Sequence, residues 1–327
     1  MSDQKVMKEA AKVYEENEEE MLDKQNVVGI GTGHKIVNDE STGEPCVTIF
    51  VSQKLDEDLL SDKDIVPKEL SKFSTDVVEI GEVTAEELRA ADKQEVVDYD
   101  TQSLELRKRP AMGGMSVGHY EITAGTIGTC VYDADNYPGK PDRYYILSNN
   151  HVLANSNDAK KGDPILQPGP HDGGEKPKDV IAKLSRYVPI KYKTENSAPK
   201  NYVDAAIAEG SFHDLDRQVY WVGNVKGTRD DVKVDEIVQK TGRTTSYTTG
   251  KVISTDATIE VDYGSHGSAK FAKQIVTTSM STGGDSGSLV CDLDENAVGL
   301  LFAGSSRSTI INKISRVTKL LNIKLHP

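Results

Sequence analysis

The stretch Ser281-Thr282-Gly283-Gly284-Asp285-Ser286-Gly287-Ser288-Leu289-Val290 governs how the rest of the chain reads. A serine flanked by glycine and preceded by an acid sits on a tight turn, uncrowded by side chains, where two backbone N–H groups can point at one oxygen. That is the geometry an acyl-transfer serine needs. Alone, the Gly-Asp-Ser-Gly match is equally well an ordinary hairpin turn. Two upstream stretches change the balance. Tyr144-Tyr145-Ile146-Leu147 is an apolar run that leads through Ser148-Asn149-Asn150 into His151, placing a histidine at a strand exit. Asn201-Tyr202-Val203-Asp204-Ala205-Ala206-Ile207-Ala208 sets one acid among small apolar residues, where a carboxylate is costly without a partner. His151, Asp204 and Ser286 follow one another at gaps of 53 and 82 residues. Asp179 is the rival acid, and taken singly His151 reads as a core histidine.

The order histidine, aspartate, serine in these three motifs resembles that of the chymotrypsin-like serine proteases. From about Arg109 to the C-terminus the chain is similar to a subgroup of bacterial trypsin-like proteins and to the protease region of the plant narrow-leaf proteins. The resemblance implies that Ser286 is the nucleophile, that His151 takes and returns its proton, and that Asp204 orients the imidazole. It assigns the oxyanion hole to the backbone N–H groups of Gly284 and Ser286. Met280, six residues before the nucleophile, matches the base of the primary specificity pocket, and an uncharged base disfavours arginine or lysine there. Ser281 and Ala303 leave that pocket free of bulk. Phe302-Ala303-Gly304 matches the segment along which an extended peptide adds as a strand. In many relatives a cut creates a new amino terminus that pairs with the acid preceding the nucleophile, here Asp285. The basic cluster Arg107-Lys108-Arg109 invites that comparison, but Pro110 follows it directly and argues against cleavage.

Composition sets outer bounds. At 327 residues and 36% hydrophobic content the chain can bury substantial cores. No run approaches the roughly 20 apolar residues of a membrane helix, and the polar N-terminus is unlike a signal peptide, so a cytoplasmic protein without membrane contact is expected. Cys46, Cys130 and Cys291 are too few and scattered for a disulfide framework or a metal site, and no cofactor is implied. The net charge of −13 is uneven. Residues 1–100 hold 26 acids against 11 Lys and Arg, while the remainder holds 26 against 28. Such an acidic N-terminal part is no nucleic-acid binder, because phosphate contact needs clustered bases.

Along the chain, residues 4–24 have helical periodicity with glutamates on the opposite face. Residues 27–31 and 46–51 read as a hairpin around a polar turn, and a further strand is expected at 76–80. His34 reads as an exposed turn histidine. A short helix is expected at 85–91. After a linker at 98–110, two groups of about six strands alternate with turn signals, including one at 135–139; residues 250–253 and 258–263 are separate strands, and 310–321 a closing helix. The expected fold is mainly β: two six-stranded antiparallel β-barrels, chymotrypsin-like, with a C-terminal helix and a small α+β N-terminal module before them. The expected units are an acidic module at 1–97, the linker, and a protease domain at 111–327 whose barrels cover about 111–214 and 215–327. The expected activity is a serine endopeptidase acting on a protein or peptide substrate and regulated by the N-terminal module. The competing reading is a protease-fold scaffold or binding protein with little turnover. The plant proteins assemble into oligomers, so the resemblance admits a homo-oligomer, although a solvated surface helix accounts for the charged N-terminus more plainly.

Overall fold

The computed structural model describes residues 3–85, 102–136 and 143–325. Ala85, where a helix over 85–91 is expected to begin, lies in the short strand Thr84–Ala85; the rest of that helix, the first part of the linker and most of the turn at 135–139 lie outside the described residues.

The chain folds as a mainly β protein built on an 8-stranded and a 13-stranded sheet, with a helix at each end. The 8-stranded sheet forms the first barrel around Val117, Ile127, Ile146, Ile165, Leu184 and Ala208. The larger sheet carries the second barrel, packed around Val238, Val252, Ile275, Val290 and Leu301. Between the two lies an aliphatic layer of Leu147, Val203, Ile207, Leu289, Leu300 and Ile314. The two barrels therefore meet through well-packed side chains from both sheets.

The helix Asp3–Leu22 buries Ala10, Val13, Tyr14 and Met21, an apolar stripe at helical spacing, against the strands Val27–Val37 and Glu40–Val51. Its glutamates are not all on the solvent face. Glu18 is only 2% exposed and is tied to Lys200 at 2.8 Å and to the Thr258 hydroxyl at 3.1 Å.

The hairpin is longer than its sequence implies, because Asn38 and Asp39, both at positive φ, form a two-residue turn that lets polar residues continue both strands. His34 accordingly lies in a strand, 12% exposed, with Nδ1 2.9 Å from Asp235 Oδ2. The hairpin also extends the second barrel's sheet, since the first strand pairs antiparallel with Ser246–Asp262 from Gly29 opposite Ile259 to Gly33 opposite Ser254. Glycine is required for that approach. A Cβ on Gly29 would collide with Ile259, and one on Gly31 would stand 2.8 Å from the Asp256 carbonyl.

Two further expectations change. Ser246–Asp262 is one strand with bulges, not two, because Ser254 is paired on both sides, with Gly33 and Val276, and Asp256 is paired with Thr32. At the C-terminus, Ser308–Lys313 is a strand fully inside the sheet and only Ile314–Leu321 is helical. β-Branched Thr309, Ile310 and Ile311, buried on both faces, favour the strand. After the helix, Ile323–Lys324 returns to the first barrel and pairs with Tyr132 and Asp133.

Candidate active site

Strand pairing explains how two residues 53 positions apart meet. Arg143–Ser148 and Ala206–Ser211 are antiparallel partners, with Ser148 opposite Ala206. The residues just after the first strand and just before the second therefore emerge at the same end. From the first comes a single helical turn, Asn150–Leu153, carrying His151; from the second comes Asp204. His151 Nδ1 lies 2.6 Å from Asp204 Oδ2, with the two side chains 2% and 0% exposed.

A carboxylate so deeply buried needs several donors, and Asp204 has them. Its Oδ1 accepts from the Asn150 N–H at 2.6 Å and the His151 N–H at 3.3 Å, while Oδ2 also accepts from the Tyr263 hydroxyl at 2.8 Å. The Asp204 backbone is fixed as well, donating N–H to Asn312 Oδ1 at 2.8 Å and accepting from Asn149 Nδ2 at 2.7 Å. Because the carboxylate only accepts, Nδ1 carries the imidazole proton and Nε2 of the neutral ring is the basic nitrogen. The rival acid is placed elsewhere, with Asp179 paired to Arg107 at 3.0 Å.

Ser286 sits on its turn with 1% exposure, and its hydroxyl donates to the Phe302 carbonyl at 3.4 Å. Gly287 follows at φ +96°, where a Cβ would collide with Ser148 Oγ and the Thr126 carbonyl, so this position admits only glycine. Hydrogen bonds set the peptide planes of the turn. The Gly283 carbonyl accepts from Thr244 Oγ1 at 2.8 Å, and the Asp285 carbonyl accepts from Ser288 Oγ at 2.6 Å. In a trans peptide the N–H points opposite the C=O, so these two bonds aim the N–H groups of Gly284 and Ser286 away from Thr244 and Ser288.

The first barrel clasps this turn. Thr126 donates its N–H to the Ser286 carbonyl and its hydroxyl to the Gly284 carbonyl, both at 2.8 Å. A Cβ on Gly125 would collide with Val152, beside His151, and stand 3.0 Å from the Ser286 carbonyl oxygen. The histidine turn and the serine turn are thus pressed against one glycine.

Asp285, fully buried, accepts from Lys240 Nζ at 3.1 Å, with neither side chain exposed. Its other oxygen takes the N–H groups of Thr244 at 3.0 Å and Thr245 at 3.1 Å. The cation for this acid is an internal lysine, while the Ala111 N–H, following the basic cluster, bonds instead to the Asp214 carbonyl at 2.8 Å.

The remaining expected residues border the turn. Met280 is 4% exposed and packs with Val252, Ile275 and Leu301, with its sulfur against Gly250. The Ser281 hydroxyl is 2.7 Å from that of Thr309. Phe302 is buried against Phe271, ring centroids 4.7 Å apart. Ala303 and Gly304 are paired antiparallel with Ala85 and Thr84. Sequence reasoning missed Lys240, Tyr263, Thr126 and Asn312. Only Lys240 carried a local signal, a lysine inside the strand Ile237–Gly242. Among the described residues, no group of three or more His, Cys, Asp or Glu is placed to hold a metal ion, and no helix is long and apolar enough to cross a membrane.

No curated protein matches the chain. Among solved structures it is similar to Thermobifida fusca protease A (16% identity, TM-score 0.45, covering 65% of this chain and 96% of that one). It is also similar to a Nocardiopsis protease (15%, 0.46, 66% and 98%) and to Cellulomonas bogoriensis chymotrypsin (15%, 0.44, 65% and 96%). Residues 13–80 match the model of the NARROW LEAF 1 N-terminal domain. The model of the trypsin-like peptidase domain matches residues 128–300, more than half of the 327 residues, and the chain belongs to that family.

Proposed function

We propose that the chain is a serine endopeptidase with Ser286 as nucleophile, His151 as general base and acid, and Asp204 as the residue that orients the imidazole. The observation that carries this reading is the buried 2.6 Å contact between His151 Nδ1 and Asp204 Oδ2. It leaves Nε2 as the basic nitrogen of a ring whose orientation is fixed. As Ser286 Oγ bonds to the substrate carbonyl carbon, its proton passes to Nε2. The imidazolium is stabilised by Asp204 and hands the proton to the departing amine, leaving an acyl-enzyme. Water then repeats the sequence and releases the acid. The N–H groups of Gly284 and Ser286, oriented through the carbonyls of Gly283 and Asp285, receive the developing oxyanion. One such donor is worth about 2.7–4 kcal/mol.

The primary pocket beside Met280 and Ser281 has an uncharged floor and takes an uncharged side chain. The acidic N-terminal module, residues 1–97, regulates the protease domain, residues 111–327. A scaffold with little turnover is the second reading, and one observation favours it: the edge at Ala303 and Gly304 is already paired.

A fluorophosphonate probe decides between them. Covalent labelling of the wild type that disappears in Ser286→Ala and His151→Ala establishes an activated serine, whereas a wild type that stays unlabelled at saturating probe removes the protease reading.

A further inference from the structure

One side of the strand Asn296–Gly304 has a continuous series of neighbours. Leu289 and Cys291 pair with Leu300 and Ala297, and next the Leu301 N–H bonds the Ser288 carbonyl at 3.0 Å while its carbonyl accepts the Gly287 N–H at 2.9 Å. Then the Ser286 hydroxyl reaches the Phe302 carbonyl. Beyond the serine, Ala303 and Gly304 face Ala85 and Thr84. A peptide whose carbonyl is to meet Ser286 must lay its acyl side along this same edge, and residues 84 and 85 already occupy it.

The polarity is that of a substrate. The pairing is antiparallel, so the chain runs from Thr84 to Ala85 toward Phe302 and the serine. The segment is held on both flanks, the Asp262 N–H bonding the Val83 carbonyl at 3.0 Å. Its side chains are buried too: Val83 and Ala85 are 4% and 5% exposed and share an apolar cluster with Phe302, Ala303 and Tyr263, the tyrosine that donates to Asp204. Upstream the strap is anchored where Gly81, at φ +77°, turns against Ser305, whose hydroxyl bonds the Ile80 carbonyl, and where Glu79 pairs with Arg307 at 3.0 Å.

We propose that residues 83–85 are a built-in competitor that fills, in cis, the strand edge an extended peptide needs, so that the edge opens to substrate only when this strap leaves. The proposal rests on the reading of Ser286 as nucleophile for its meaning, but its occupancy claim stands apart from activity. The strap also names the chemistry the edge accepts: an extended segment with small or β-branched apolar side chains at alternate positions, as in Val83 and Ala85.

The test uses the full chain as wild type, Val83→Asp, which places a charge in the apolar cluster, and Thr84→Pro, which removes a ladder N–H. Binding of a fluorescein-labelled peptide with the sequence of residues 80–85 is read by fluorescence anisotropy, and cooperative melting by circular dichroism confirms each fold. A folded strap variant should bind the peptide about tenfold or more tightly than the wild type, since a site that is mostly closed in cis weakens apparent affinity by its open fraction. Equal binding by wild type and a folded variant overturns the proposal. If neither variant folds, amide exchange of residues 83–85 in the wild type decides, because a strap that leaves must exchange faster than global unfolding allows. Fluorophosphonate labelling of the same proteins separates the two claims: absent labelling with enhanced peptide binding defeats the catalytic reading and leaves the strap.

Discussion

Lys240 and Asp285 meet in a fully buried pair, and the two halves of that interaction do different work. Burying both charges is expensive, and their attraction offsets that cost only with further hydrogen bonds, which Asp285 receives from Thr244 and Thr245. What the pair supplies is a fixed loop one residue before Ser286. Lys240→Met should therefore lower stability by about 3–5 kcal/mol, the usual result of leaving a buried charge uncompensated. Adding Asp285→Leu should restore much of that stability but not labelling of Ser286, because the loop has lost the acceptor for its N–H groups. Urea melts and probe labelling of the single and double variants check this. A single variant within about 1 kcal/mol of wild type would mean that the lysine is incidental.

At the scale of elements, the joint between the N-terminal helix and the second barrel is a polar contact inside an apolar seam. The Tyr14 hydroxyl, from a side chain 1% exposed, donates to Asp256 Oδ1 at 2.9 Å, and Lys273 bonds the other oxygen of Asp256 at 3.2 Å. Burial, and then the negative charge of Asp256, push the Tyr14 phenol well above its ordinary range. A raised folded value stabilises the fold fully below the unfolded pKa, about 10, and that contribution is lost as pH rises beyond it. Melting temperatures should thus fall from about pH 10 upward, and Tyr14→Phe should flatten the fall while costing about 1 kcal/mol at neutral pH. Parallel alkaline curves for the two proteins would place the transition elsewhere.

Elements also show what sequence could and could not carry. The runs into His151, around Asp204 and through Ser286 stand out in the sequence because the role proposed for each demands a local composition: an apolar strand exit, an acid among alanines, glycines about a serine. Tyr263 and Lys240 act on residues 59 and 45 positions away, and nothing near either one records its partner. The bulged strand Ser246–Asp262 read as two because its polar middle resembles a turn until the flanking strands supply the ladder. Likewise Glu18 read as one glutamate in a solvated run, since its burial depends on Lys200, far along the chain.

For the whole molecule, the uneven charge and the shared sheet compete as explanations of how the N-terminal part is held. Acids of that part do meet bases of the protease part, Glu18 with Lys200 at 2.8 Å and Glu79 with Arg307 at 3.0 Å. The Glu79–Arg307 pair is open to solvent and contributes about 0–1 kcal/mol, and the attraction of Lys200 for the buried Glu18 is largely spent on offsetting the desolvation of that carboxylate, so the ion pairs are too little to fix a module. The sheet contributes more, since Gly29 through Gly33 complete the ladder along residues 254–259, and Phe50, Ile80 and Val83 fill the apolar cluster around Ile259 and Phe271. Removing them would bare a strand edge and an apolar face together, the combination that drives association between chains. A chain beginning at Ala111 should therefore aggregate or fail to melt cooperatively, whereas the full chain does neither, as size-exclusion chromatography and thermal melts would show. A monomeric fragment melting within a few degrees of the full chain would contradict this. The second barrel's sheet would then be complete without residues 27–85, and their role would be confined to covering the edge beside Ser286.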